Sequence, residues 1–303
     1  KCELLHCTSN TAPFFCPIPL VVTLHDIIYL ENKGLLGTGG SLYQKFGNLY
    51  RRWNVPGAVK NAEAIITVSN FEKSNIDQKM PQIKDKTIAI YNGVGEHFSP
   101  IRESKTLSQV REKYKLPEKY IFFLGNLAPK KNTPNVLKAY NRYHNSVSNP
   151  LPLVMIDFGK EKLRQMLASF QMENLLEHIH LSGYISNTDL PAIYSMSELF
   201  LYPSLRESFG IPILEAMRCG TPVITSTTSS MPEIAGDAAL LVNPNNSKEL
   251  ANAIEYILSD LEFREKLIQK GFNRSKKFSW TKMAERNLKL YNKIYNELQK
   301  NKQ

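Results

Sequence analysis

Cysteine is scarce in this chain and follows no pattern. Cys2, Cys7, Cys16 and Cys219 form no CxxC pair and no metal-ligand spacing. Neither a disulfide framework nor a zinc knuckle is therefore expected, and the thiols read as reduced, in a cytoplasmic protein. Long apolar runs are missing too. The longest, Ile18 to Ile28, is interrupted by Thr23, His25 and Asp26, well short of the ~20 residues that span a bilayer as a helix. No cleavable leader is read at the start, where Lys1 is followed at once by Glu3 and His6. His25, His178 and His180 lack metal-ligand spacing on a common element, so no metal is expected. The absence of a Walker loop and of a GxSxG elbow argues against P-loop phosphotransfer and α/β-hydrolase chemistry. Without a basic run interleaved with stacking aromatics, nucleic acid is not an expected partner.

What is present is ordinary in bulk. Apolar residues make up 42% and charged residues 22% of the chain, as in soluble globular proteins. With 303 residues the chain is long enough for two domains. Lys and Arg outnumber Asp and Glu 38 to 28, a net charge of +10 that suits an anionic partner without choosing one. Part of the excess, Lys276, Lys277, Lys282, Lys289 and Lys293, is scattered as on a solvated helix face.

Short apolar runs alternate with helical patterns, the signature of βαβ units and a parallel sheet. Strands are expected at 20–24, 64–69, 87–91, 120–125, 153–156, 178–183, 199–202, 222–225 and 239–242, with helices at 133–144, 161–172, 211–219 and 248–258. Asn92-Gly93 is a turn signal, and a polar stretch from Arg102 to Lys115 follows it. One sheet domain is therefore expected over residues 1–100 and a second over 101–280. Residues 281–303 belong to a closing amphipathic helix that opens at Trp280, with Met283, Leu288, Leu290, Tyr291, Ile294 and Leu298 at helical spacing. The chain does not begin with Met and its first residues already approach a strand. The first domain is accordingly expected to be represented only in part.

The most informative run is Arg206 to Glu215, two carboxylates eight positions apart around Gly210 and Pro212, which open a helix. It follows the strand-like Leu199 to Tyr202, so the turn falls at the carboxyl end of a strand, where open α/β folds bind ligands. A helix N-terminus suits a phosphate, and Glu207 and Glu215 would be free to hold hydroxyls nearby. Phosphate beside polyol describes a nucleotide sugar. After the strand ending at Gly125, Lys130 and Lys131 lie on a loop. Alone they read as solvated charge; opposite the Glu207–Glu215 turn they can neutralise a diphosphate. Thr23-Leu24-His25-Asp26 closes the first expected strand, where His25 is either a satisfied core histidine or a donor to a sugar. Ser69 with Glu72 forms a capping box that needs no function.

These segments, in this order, resemble the retaining, nucleotide-sugar-dependent glycosyltransferases of family 4, with the GT-B fold. The resemblance rests on Thr23–Asp26, Ile66–Ser69, Tyr91–Val94, Gly125–Asn132, Glu207–Glu215, Gly220–Ile224 and Pro232–Ala239. It implies an α/β chain of two Rossmann-like, doubly wound parallel-sheet domains facing a cleft. It implies Glu215 on the nucleotide ribose, Glu207 beside the transferred sugar, and Ser208, Phe209, Gly210 and Ile211 along the sugar and diphosphate. Lys131 would hold the diphosphate, and Gly183 and Tyr184 would lie near the base. His25 would face the reacting centre. Some relatives carry an Arg near the position of Asn126 or directly before the Lys; here Asn126 and Lys130 stand there, and Lys130 keeps the charge without the bidentate fork.

The implied reaction is retaining hexosyl transfer to a glycan or lipid-linked acceptor, in surface polysaccharide synthesis. No cofactor beyond the donor co-substrate is implied. The expected place is the cytoplasm, at the inner face of the membrane, with Leu42 to Lys60 as a basic-aromatic surface or an ordinary surface helix. The alternative is a nucleotide-sugar-binding remnant without turnover. A phosphorylase or sugar-nucleotide epimerase of the same fold comes third, the former disfavoured by the lack of a pyridoxal-phosphate lysine signature.

Overall fold

The computed structural model describes residues 2–30, 42–156 and 159–300, the side chains of 42–45 lying outside that set. The chain divides into two compact units, Lys1–Gly93 with Phe278–Gln303, and Val94–Lys277.

The first unit is built on a parallel sheet in the order β1-β2-β3-β4, comprising Leu5–Cys7, Leu20–Thr23, Ala64–Thr67 and Thr87–Ala89. Every residue of β2 and β3 is buried, as a strand covered on both faces requires. Alternation along the strands assigns the faces. Leu20, Val22 and Ile65 pack with Val55, Ala58 and Val59 of helix α1 (Leu42–Asn61) and Ile76 of helix α2 (Asn70–Lys79). Ser69 caps α2, its side chain accepting from Glu72 N. Asn92-Gly93 forms no turn; the nearest one falls at Glu96–His97.

The second unit begins with helix α3 (Ser104–Tyr114), in the stretch that reads from sequence as a polar linker. Just two of its residues, Val110 and Tyr114, are buried, so its apolar stripe is too thin to stand out. Six parallel strands follow: β5 (Ile121–Phe123), β6 (Leu153–Met155), β7 (Ile179–Leu181), β8 (Leu199–Tyr202), β9 (Val223–Ser226) and β10 (Leu240–Val242). The helices between and after them are α4 (Thr133–Ser146), α5 (Lys160–Ser169), α6 (Leu190–Met196), α7 (Ile211–Arg218), α8 (Met231–Ala235), α9 (Ser247–Ser259) and α10 (Leu261–Ser275). The sheet order β10-β9-β8-β5-β6-β7 reverses direction between β5 and β8. That reversal is the topological switch point of a doubly wound sheet.

Helix α11 (Trp280–Lys300) returns to the first unit. Its Met283, Leu290, Tyr291, Ile294 and Leu298 cover the second face of the four-stranded sheet, against Val21, Ala64 and Ile66. All nine strands expected from sequence are present. Among the described residues the one strand missed is β1, three half-buried residues, and Thr23 therefore ends the second strand rather than the first.

Candidate active site

Strands β5 and β8 are parallel neighbours in register, Ile121 opposite Leu199 and Phe123 opposite Leu201. Their carboxyl ends therefore finish level, and the loops leaving them meet at the switch point. Leu205 N donates to Lys130 O at 2.7 Å, which ties one loop to the other. Lys131 Nζ then donates to Glu207 Oε1 at 2.7 Å and to the Tyr202 hydroxyl at 2.9 Å. Lys130 Nζ stands 3.9 Å from Glu207 Oε2. The resulting pair is largely withdrawn from water, side-chain exposure being 15% for Lys131 and 11% for Glu207. An ammonium has three donors, and these contacts use two of them.

Glu207 is thus paired, not free for a hydroxyl as its place in the turn suggests from sequence. Its backbone is held as firmly as its side chain. Glu207 O accepts from Arg206 Nη1 and from Ser229 Oγ and Ser230 Oγ, and Glu207 N donates to Ser229 Oγ at 3.0 Å. Ser230 Oγ also donates to Phe209 O at 2.8 Å, and Ser226 Oγ to Ser204 O at 2.7 Å. The hydroxyl run Ser226 to Ser230, at the end of β9, therefore braces the turn that carries Glu207. Sequence reasoning passed over it, although five consecutive Ser and Thr residues after a strand were a visible signal.

Asn132 was also missed as an anchor. It sits in the left-handed region (φ 60°), buried, and its Nδ2 donates to Pro203 O at 3.1 Å and Pro244 O at 2.6 Å. One amide thus joins the loops that follow β5, β8 and β10. Asn126 is exposed; its Oδ1 accepts from Ala128 N at 2.8 Å and its carbonyl from Thr133 Oγ1 at 2.7 Å, which shapes the lysine loop.

Helix α7 opens at Gly210, whose φ of 104° suits glycine and leaves no side chain over the helix end. Phe209 is buried, while Ser208 and Ile211 are half-buried on either side. Glu215, one turn into α7, is also engaged: the Tyr194 hydroxyl donates to its Oε2 at 3.1 Å. Burial pushes its carboxyl up to about 7, the hydrogen bond from Tyr194 opposing that only in part. The same burial raises the phenols of Tyr194 and Tyr202 well above their usual range, so both are neutral donors.

Gly183 and Tyr184 follow the edge strand β7, two strands away from β5. Gly183 has a φ of 70° and Tyr184 is 81% exposed. Gly183 lies on the rim of a cavity of about 540 Å³ that Gly159, Lys160 and His180 also line. His25 belongs to the first unit, just past the carboxyl end of β2. Its backbone N–H is held by Asn10 Oδ1 at 2.7 Å, and its Nε2 lies 2.9 Å from Thr8 O. A carbonyl only accepts, so Nε2 carries the proton, and in the neutral ring Nδ1 is an acceptor.

The chain matches the family "Glycosyl transferases group 1" over residues 105–274 and "Glycosyltransferase Family 4" over residues 1–97. It is 29% identical over 275 residues to O-antigen chain mannosyltransferase B of Escherichia coli, covering 89% of this chain and 69% of that protein. It is also 29% identical over 273 residues to the serotype-specific mannosyltransferase WbdA of Escherichia coli, where 88% of this chain spans only 32% of the relative. Among solved structures it resembles a glycosyltransferase from Rickettsia africae ESF-5, with a TM-score of 0.75 at 21% identity over 97% of this chain and 77% of the other. It also resembles Anabaena Alr3699/HepE in complex with UDP-glucose, with a TM-score of 0.71 at 21% identity over 91% and 72% of the two chains. The chain belongs to the glycosyl transferases group 1 family and has the GT-B fold.

Proposed function

We propose that this chain is a retaining hexosyltransferase that uses a nucleotide-diphosphate sugar and extends a surface glycan or a lipid-linked acceptor in the cytoplasm. The observation that carries the reading is the pairing of Lys131 with Glu207 at the switch point of the donor-side sheet. The third ammonium donor of Lys131, with Lys130 beside it, is suited to a departing diphosphate, whose developing charge is the main thing catalysis must stabilise. Glu207 holds Lys131 in place and sits beside the transferred sugar. Glu215 receives the ribose hydroxyls, and the cavity at Gly183 accepts the base, with the exposed Tyr184 next to it in sequence. No metal is needed in this scheme, because the lysines and the α7 N-terminus supply the positive charge.

The bond between the anomeric carbon and the diphosphate oxygen breaks as the acceptor oxygen bonds to the same face of that carbon. The acceptor proton passes to the departing phosphate oxygen. In the first unit, His25 has Nε2 committed to Thr8 O and keeps Nδ1 for a hydroxyl of the acceptor. The mannosyltransferase relatives support mannose as the transferred sugar.

The test has two parts. Calorimetric titration with UDP, GDP and ADP identifies the base, and binding of none of them would refute donor use. Incubation of the whole chain with the matching nucleotide sugar and a lipid-linked glycan then shows transfer, and NMR of the new linkage reports its configuration. Inversion at the anomeric carbon would refute the retaining assignment. Nucleotide binding without transfer would favour the binding-remnant alternative.

A further inference from the structure

Asn54 is a buried polar side chain that the transfer scheme does not use. It lies on α1 next to the core residue Val55 and is itself 1% exposed. Asparagine is a poor helix former, and a buried amide needs partners at both of its ends. Asn54 finds them on a single residue. Its Oδ1 accepts from Ala12 N at 3.2 Å, and its Nδ2 donates to Ala12 O at 3.0 Å. The side chain pairs with the backbone of Ala12 as a neighbouring strand would, and so pins the loop between β1 and β2 to the helix.

Earlier in that loop, Asn10 makes a second pair of bonds. Its Oδ1 accepts from His25 N at 2.7 Å, and its Nδ2 donates to Asp26 O at 3.3 Å. The sheet explains why an amide is needed there. Leu24 N donates to Ile66 O at 2.8 Å, on the side of β3. In an extended strand the next N–H, that of His25, then faces the side of β1. Strand β1 has already ended at Cys7, opposite Val22. The Asn10 amide takes the donor that β1 no longer reaches. Thr8 completes the set, its carbonyl 2.9 Å from His25 Nε2. One loop therefore holds both the main chain and the ring of His25, and Asn54 anchors that loop. Nδ1 of His25 has no hydrogen-bond partner among the described residues.

We propose that Asn10 is a positioning residue for His25, with Asn54 anchoring the loop from which it acts. The loop keeps the imidazole in the Nε2–H tautomer and the Nδ1 lone pair in one place. Loss of the Asn10 amide frees the His25 backbone and lets the ring leave Thr8 O. The positioning is a property of the first unit alone; its effect on rate rests on the transfer reading.

The first measurement is proton–nitrogen correlation NMR of the whole chain at about pH 8, where a free imidazole is neutral. His25→Ala assigns the signals of one of the six histidines. In the parent, the ring nitrogens of His25 should report a proton held on Nε2. In Asn10→Ala they should move towards the averaged values of a free imidazole. Asn10→Asp keeps the acceptor for His25 N and should stay close to the parent. The second measurement is turnover. Asn10→Ala should lower kcat about tenfold to a hundredfold with nucleotide binding unchanged, and Asn10→Asp should recover most of the loss. In a His25→Ala background, Asn10→Ala should alter kcat by less than about twofold, because its effect passes through the ring. Two results would overturn the proposal: His25 nitrogen shifts that Asn10→Ala leaves at the parent's values, or a loss of kcat that is the same with and without the imidazole. A chain without turnover, or one that keeps the parent's kcat in His25→Ala, would sink the transfer reading and not the positioning, which the nitrogen shifts decide alone.

Discussion

Lys131 Nζ and Glu207 Oε1 stand 2.7 Å apart across the two loops of the switch point, from residues 76 positions apart in sequence. Each makes the other tolerable in a nearly dry site. Removing one partner of such a pair leaves an uncompensated charge and costs about 3 kcal/mol. Lys131→Ala should therefore lower unfolding stability by roughly that amount as well as weaken nucleotide binding. Lys131→Met combined with Glu207→Gln should recover most of the stability and none of the binding. Denaturant unfolding and calorimetry on the same samples check both halves; a double variant that binds nucleotide normally would refute a role for Lys131 on the diphosphate.

Glu215 makes stability depend on pH. Its carboxyl rises from 4.5 to about 7 on folding, so the folded state holds an extra proton between those values. The contribution is full below about 4.5 and is lost as pH rises through about 7, a difference of roughly 3 kcal/mol. Glu215→Gln keeps an acceptor for the Tyr194 hydroxyl and removes the titration. It should match the parent near pH 4 and be the more stable form above pH 7 in thermal melts. Ribose hydroxyls donate best to the ionised carboxylate, so nucleotide binding near neutrality should release a proton. Calorimetry in two buffers of different ionisation enthalpy measures that release.

Most of the sheet framework was legible because parallel strands buried on both faces read as short apolar runs. Strand β8, Leu199–Tyr202, was legible in full for that reason. Strand β1 was not, since only three half-buried residues form it. Helix α3 was hidden by its polarity. At the site, Lys131 and Glu207 were visible from residue type and loop position. Their pairing was not, because it depends on β5 and β8 being sheet neighbours, which no local pattern encodes. The bracing by Ser229 and Ser230 was hidden for the same reason, as was the hydrogen bond that Tyr194 gives Glu215.

Gly93 owes its place to space rather than to backbone freedom. A Cβ there would come within 2.1 Å of Trp280 N and 2.5 Å of Ser279 C, both main-chain atoms at the start of α11. Gly93→Ala should displace the N-terminus of α11 from the first unit, at a cost of roughly 1–3 kcal/mol. Hydrogen exchange would show it as faster exchange at the start of α11, and protection there equal to the parent would refute the steric account.

Asn132 offers a way to separate backbone geometry from side-chain bonding at the donor site. Its φ of 60° suits Gly and Asn, and its amide joins the loops after β8 and β10. Asn132→Ala loses both features. Asn132→Gly restores the conformation and still lacks the two donors to Pro203 O and Pro244 O. If the amide is what positions Lys131, both variants should weaken nucleotide binding, the alanine one by more. A left-handed residue other than Gly, Asn or Asp costs about 1–2 kcal/mol, and that is the gap in unfolding stability expected between the two. Should Asn132→Gly bind nucleotide as the parent does, the backbone alone sets the lysine loop and the amide serves only stability. Should the two variants melt alike, strain at this residue is not what separates them.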